Sequence, residues 1–285
     1  MASEMKNRKN YKKHLRLAPA YLLVMLWTIF TFTVIGWIIL ASFSTTREIF
    51  SGKLLHSGFH FRNYYTTFIR NKGLLSLLNS IIYTLPSCLL TIVVSAPCAY
   101  CLGRYTFKLR GIMEKTILIC LSIPIIMLVI PLFSLANQWK VSGLRLTLIV
   151  IYTATAIPYT TFFLEAFFHS ISHTFEEAAT IDGCGPIRCF WSIMFPLAQP
   201  GLVTITIFNF IRFWNEYFTA LVFANKPKTR PLGVQLYQTV SSMMTSGDWA
   251  GMFTSVVIVF VPTVAVYAFL SDKIISGVTA GGVKE

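Results

Sequence analysis

Charge is scarce in this chain. Asp, Glu, Lys and Arg make up only 12% of its 285 residues, about half the share usual in a soluble domain, and mean hydropathy is +0.64. The charges that exist fall in short islands between long uncharged runs. That pattern excludes an ordinary water-soluble fold and fits a chain that must keep ions out of hydrocarbon. Acidic residues are scarcest, 11 against 24 Lys and Arg, for a net charge of +13. The bases are scattered over the inter-run islands and form no stripe along a soluble helix, so nucleic acid is excluded as a partner. Contact with anionic membrane lipids, worth roughly 1 kcal/mol per Lys or Arg near the surface, takes its place.

Disulfide logic is missing as well. Of six cysteines, Cys88, Cys98, Cys101 and Cys120 lie in apolar runs, where a thiol behaves as a small hydrophobe. Cys98 and Cys101 make a CxxC with no second pair, and Cys184 and Cys189 read as free thiols in a cytoplasmic loop. His169 and His173 have i, i+4 spacing but no third ligand and no HExxH glutamate, so no metal site is assigned. No G-x-x-x-x-G-K-[ST] loop occurs; the Gly52-Lys53 pair is followed by Leu54. The chain therefore has no recognisable means of hydrolysing ATP, and no catalytic residue is assigned. A cleavable signal peptide is not expected, because the first apolar run is too long for an h-region.

Six uncharged runs are present, and six membrane-spanning helices are expected. Residues 17–46, 73–103, 116–139 and 146–164 carry no charge. The fourth run, of nineteen residues, is about 28 Å long as a helix, which matches the hydrocarbon core. A fifth span is expected over 197–224, interrupted by Arg212 and Glu216, and a sixth over 249–271. Six crossings put both ends on one side. Lys6, Arg8, Lys9, Lys12, Lys13 and Arg16 place that side in the cytoplasm of a plasma-membrane protein. Pro124, Pro131 and Pro158 mark kinks or helix ends.

Between the fourth and fifth spans stands HTFEEAATIDGCGPIRCFWSIMFPLAQPG, residues 173–201. Thr174 and Glu177 have capping-box spacing, which predicts a short helix from Phe175 to about Ile181. Gly183 suits the left-handed residue that ends it, and Pro186 can open the next helix. Phe175, Ala178, Ala179 and Asp182 come close to one face, kept low by the two alanines so that another protein can approach the backbone. Physics alone leaves an amphipathic connector on the membrane surface equally open.

These residues resemble a known family. Glu177-Ala178-Ala179, Asp182-Gly183, Ile193 and Pro196 match the EAA loop of ABC-importer permeases. PIIMLVIPLF (124–133), Gly143-Leu144, Ile157-Pro158, FWNEYFTA (213–220) and the tail SGVTAGGVKE (276–285) are similar to the maltose-type, MalG-like carbohydrate permeases. Ser172 stands where many members have a proline before the EAA helix.

The resemblance implies an all-α, MetI-like membrane fold. It would comprise a basic tail (1–16), a first transmembrane helix (17–43), an extracytoplasmic segment (44–72), a transmembrane domain (73–271) holding the coupling loop, and a cytoplasmic tail (272–285). It also implies the partners: ATP-binding cassette subunits in two copies, a second related permease chain, an extracellular solute-binding protein and a sugar substrate. No cofactor is expected in this chain, since ATP and Mg would be bound by the partner ATPase.

Polar groups inside the fifth run complete the candidates. A central arginine costs roughly 2.5–3.5 kcal/mol on insertion scales unless it meets a partner or water. Arg212 and Glu216, four apart, are expected on one helix face with Asn209, beside Trp214 and Asn215. Two readings stay open: an Arg–Glu pair that locks helices, or a polar lining for a solute path. Trp27, Trp37, Trp139 and Trp249 are expected mostly at membrane interfaces or between helices. Two other classes of function are weighed against the importer. An ion-gradient-driven secondary transporter would favour inverted repeats, and none is evident. A polytopic membrane enzyme would need acid/base or metal clusters, for which the acidic residues are too few.

Overall fold

A computed structural model describes residues 2–224 and 226–282, with side chains for 17–224 and 226–270. The basic side chains of the first sixteen residues and the last three residues of the 276–285 tail lie outside that description. The described residues contain helices and no strand. In chain order the helices are α1 (Ala2–Ser42), α2 (Thr46–Ser51), α3 (Arg62–Tyr65), α4 (Gly73–Arg104), α5 (Arg110–Ser122), α6 (Ile125–Gln138) and α7 (Arg145–Ser170). They continue as α8 (Thr174–Ile181), α9 (Pro186–Cys189), α10 (Phe195–Leu197), α11 (Gln199–Asn215), α12 (Phe218–Phe223), α13 (Leu232–Ser246) and α14 (Trp249–Gly282). Two π-helical turns, Thr66–Arg70 and Phe190–Met194, continue α3 and α9.

Among the described residues, four helices are long and apolar enough to cross a membrane: Leu17–Ser42 within α1, α4, α7 and Trp249–Leu270 within α14. Two further candidates are broken. The α5–α6 pair bends by 99° and the pair Pro186–Leu197 with α11 by 74°; six crossings result if each pair is one span. Proline explains the first break. Ile123 precedes Pro124 and is extended at φ −87°, ψ 118°, as the clash with a proline ring requires of the preceding residue. The run expected as one helix over 116–139 is thus two helices. The expected fifth span is also divided, since α11 stops at Asn215.

Helix α4 packs chiefly on α7, and its sequence shows why. Its buried positions are mostly small or hydroxylated, among them Ser76, Ser80, Ser87, Ser95, Ala96, Ala99 and Gly103. Small side chains let backbones approach closely where lipid offers no hydrophobic drive between helices. A Cβ on Gly103 would sit 3.1 Å from the Glu165 carbonyl oxygen of α7. At the α7–α11 contact, a Cβ on Gly201 would meet the Phe167 ring at 2.6 Å.

Helix α1 leans on α14 near its end, where Trp37 meets Phe253 edge-on at 5.2 Å. Leu22, Leu23, Trp27, Phe30 and Phe32 stay exposed, as a lipid-facing surface allows and water would not.

The segment after α1 is knotted by one carboxylate. Thr45 and Glu48 form a capping box, and Glu48 also accepts from the Ser57 amide at 2.6 Å and hydroxyl at 2.7 Å. These bonds, led by that from the Ser57 hydroxyl, lower its pKa to about 2 by favouring the charged form.

Candidate functional site

Helix α8 is short, two-faced and pinned on one side. Its first turn carries Glu176 and Glu177, which suits the positive end of the helix dipole. The expected capping box at Thr174 and Glu177 does not form. His173 is the residue before the helix and is already αR (φ −61°, ψ −23°), so Thr174 lies inside the first turn and cannot cap it. Its hydroxyl meets Ser172 Oγ at 2.9 Å instead.

The other end follows the spacing. Gly183 is left-handed at φ +74°, and a Cβ placed there would have nothing within 4 Å, so conformation and not space selects glycine. The Cys184 amide donates to the Ala179 carbonyl at 2.8 Å, and Pro186 opens α9.

The low face built from two alanines is split by the structure. Ala179 is 4% exposed and packs in a cluster with Tyr100, Phe167, Phe168 and Met194, whereas Phe175, Glu177, Ala178, Ile181 and Asp182 are exposed. At 3.6 residues per turn, adjacent residues diverge by about 100°, so one alanine turns inward while the other looks out. Ile193 packs partly against the same cluster, and Pro196 is exposed in α10.

What holds α8 in place lies outside the motif itself. Glu176 accepts from Tyr100 Oη at 2.7 Å and from Arg104 Nε at 2.8 Å, and lies 2.5 Å from Arg104 Nη2. Arg104 also donates to the Ile171 carbonyl at 2.8 Å, and its side chain is 1% exposed. A planar guanidinium used this way fixes direction as well as charge. The sequence signals for this joint are faint: an arginine ending an apolar run, and a second glutamate beside the motif, 72 residues away.

The fifth-span candidates go to separate places. Asn209 is buried and donates to Thr160 Oγ1 of α7 at 3.0 Å. Trp214 is 3% exposed and donates to the Val259 carbonyl of α14 at 3.1 Å. Asn215 is exposed and bonds back to Ile211.

Arg212 and Glu216 do not share a helix face, because Glu216 is extended at φ −72°, ψ 125°. Among the described residues they form no ion pair. Glu216 accepts from the Thr219 and Ala220 amides at 2.7 and 3.1 Å and from Tyr152 Oη at 2.8 Å, starting α12. The free amides of a helix start are a better match for a carboxylate than a continued helix would be. Arg212 lines a cavity of about 760 Å³ between α5–α6 and α7.

The family described as "Binding-protein-dependent transport system inner membrane component" matches residues 92–278. The chain belongs to this family.

The membrane component is 31% identical to the diacetylchitobiose uptake system permease protein NgcG of Streptomyces coelicolor over 93% of this chain and 88% of that protein. It is 34% identical to the sulfoquinovosyl glycerol transport system permease protein SmoH of Agrobacterium fabrum over 78% and 77% of the two chains. Identity with the trehalose transport system permease protein SugB of Mycobacterium tuberculosis is 28% over 90% and 97%. In fold it superposes on a chain of a bacterial ABC transporter that imports the acidic polysaccharide alginate, with TM-score 0.75 over 88% and 94% of the chains at 23% identity. It is a multi-pass membrane protein and a transport component. Neither a secondary transporter nor a membrane enzyme finds support in these matches.

Proposed function

We propose that this chain is the permease subunit of an ATP-driven carbohydrate importer, forming half of the translocation path and drawing its energy from a separate ATPase through α8. One observation carries the coupling: Glu177, Ala178, Ile181 and Asp182 are turned outward while the opposite side of α8 is held to α4 by Glu176 and Arg104. A helix exposed on one side and fastened to a long apolar helix on the other can pass a push inward. Relatives named for diacetylchitobiose and trehalose support a sugar as cargo.

The partners follow from that reading. Two ATP-binding subunits hold ATP and Mg, a second related permease completes the path, and an extracytoplasmic binding protein delivers the solute. Glu177, Ala178, Ala179, Asp182, Gly183, Ile193 and Pro196 form the coupling segment, with Ala179 and Ile193 as its inward anchors. Both termini lie in the cytoplasm, and the chain itself performs no catalysis. ATP binding shifts the cavity between inward- and outward-facing only if the ATPase contacts α8 differently in the two states.

The test is capture of the chain from detergent-solubilised membranes, followed by reconstitution. An ATP-binding subunit and a second permease should copurify, and sugar uptake should require ATP. A lone chain that transports without nucleotide overturns the reading.

A further inference from the structure

The cavity beside α7 is chemically lopsided. Its walls include Leu132, Leu135 and Ala136 of α6 with Val150, Ile151 and Ala154 of α7, and among the described residues Arg212 is the one charged group that lines it. Both threonine hydroxyls in the wall donate to backbone: Thr147 Oγ1 to the Val141 carbonyl at 2.6 Å, and Thr155 Oγ1 to the Tyr152 carbonyl at 3.2 Å, which leaves Tyr159 as the other hydroxyl lining it. A neutral sugar would find few polar partners there.

Arg212 is the opposite case. Its bond to the bundle is a long one, Nη1 to the Thr155 carbonyl at 3.4 Å. The acid four residues on, Glu216, has its oxygens occupied by the Thr219 and Ala220 amides and by Tyr152. A guanidinium carries five donors in a fork that fits an oxyanion. Among the described residues no carboxylate lies within ion-pair distance of it, and between apolar walls such a group is costly until an anion or water arrives.

We propose that this cavity accepts a solute bearing an oxyanion, such as a carboxylate-, sulfonate- or phosphate-bearing sugar, with Arg212 as the residue that holds the charged group. The inference rests on the importer reading and narrows its substrate class. The apolar walls cover the sugar's carbon faces, and Trp139 and Tyr159 on the rim present aromatic surface on which sugar C–H faces can pack.

The complete importer in proteoliposomes tests this, with ATP inside and labelled probes outside. The acidic probes are a uronic-acid disaccharide and glucose 6-phosphate; the neutral ones are maltose and glucose. Acidic probes should be taken up in preference. Arg212→Gln should lower their uptake by roughly tenfold or more, the loss expected for a charge-assisted bond. Arg212→Lys should retain part of it. Copurification of the ATPase and the second permease should be unchanged in both variants.

Preferential uptake of neutral probes, equal in wild type and Arg212→Gln, overturns the anion assignment and leaves the importer intact. Loss of the second permease from Arg212→Gln preparations also overturns it, since the guanidinium would then be pairing with that chain. If the wild-type complex moves no probe of either kind, the carbohydrate reading itself fails.

Discussion

Arg104, the last residue of α4, grips Glu176, in the first turn of α8, through Nε at 2.8 Å and Nη2 at 2.5 Å. The pair joins a long apolar helix to the short exposed one that is proposed to meet the ATPase. Tyr100, one turn earlier on α4, holds the other carboxylate oxygen at 2.7 Å. Three contacts from one helix onto one side chain leave α8 little freedom to tilt independently of α4.

Cutting that joint should uncouple the protein without removing its docking surface. Arg104→Ala leaves the Glu176 carboxylate with Tyr100 and the exposed His173 ring, whose Nδ1 lies 3.4 Å away, and should cost about 3 kcal/mol locally. Uptake should fall at least tenfold, while the ATPase subunit still copurifies, because Glu177 and Ala178 are untouched. The exchange Arg104→Glu with Glu176→Arg should recover part of the uptake. Equal uptake by Arg104→Ala and wild type would remove the joint from the coupling path.

Gly183 offers a cleaner backbone test. Its φ of +74° with open space around it predicts that Gly183→Asn is tolerated and Gly183→Val is not. A left-handed β-branched residue costs about 1–2 kcal/mol. Sugar moved per ATP hydrolysed should drop in the valine variant and hold in the asparagine variant. Identical ratios in all three proteins would refute the conformational argument.

Glu216 accepts from the Thr219 and Ala220 amides in the first turn of α12 and from Tyr152. Glu216→Ala should therefore loosen the turn between α11 and α12 by about 1–2 kcal/mol and alter uptake, with ATPase docking unchanged. Tyr152→Phe removes a single bond and should give a smaller defect in the same direction. Loss of assembly in Glu216→Ala would assign the residue to structure alone.

The knot around Glu48 should respond to acid. Its folded pKa of about 2 lies below the ordinary 4.5, so its contribution is present above pH 4.5 and is lost as pH falls toward 2. Protection of the Thr45 and Ser57 amides, taken as the intrinsic exchange rate at each pH divided by the measured one, should fall over that window and stay constant above it. Glu48→Gln should show low protection throughout. Unchanged protection between pH 5 and 2.5 would show that the carboxylate is not what closes the segment.

How far the site is legible in the sequence differs from residue to residue. Gly183 and Pro186 take their expected positions because φ preference is a property of one residue and its neighbours. The cap expected at Thr174 misses by a single residue, because an αR His173 is as compatible with that local sequence as an extended one. Ala179 faces the bundle and not a partner, since spacing defines faces but not which of them turns inward.

Arg212 and Glu216 part company for a longer-range reason. Spacing of four implies one face only while the helix continues, and the chain turns at Glu216, where its carboxylate binds the α12 amides and Tyr152, 64 residues earlier.

By itself the sequence determined that this protein lives in a membrane, where its long apolar stretches lie, and that a short helix interrupts them. Those properties follow from local hydropathy and backbone preference, which each segment carries wherever it goes. Tertiary structure alone decided that Glu176 and not Glu177 is fastened to α4, and that Arg212 lines a cavity and forms no ion pair with Glu216. Such outcomes depend on which distant side chain arrives within bonding distance, and a charge or hydroxyl has no partner until the packing of helices brings one near.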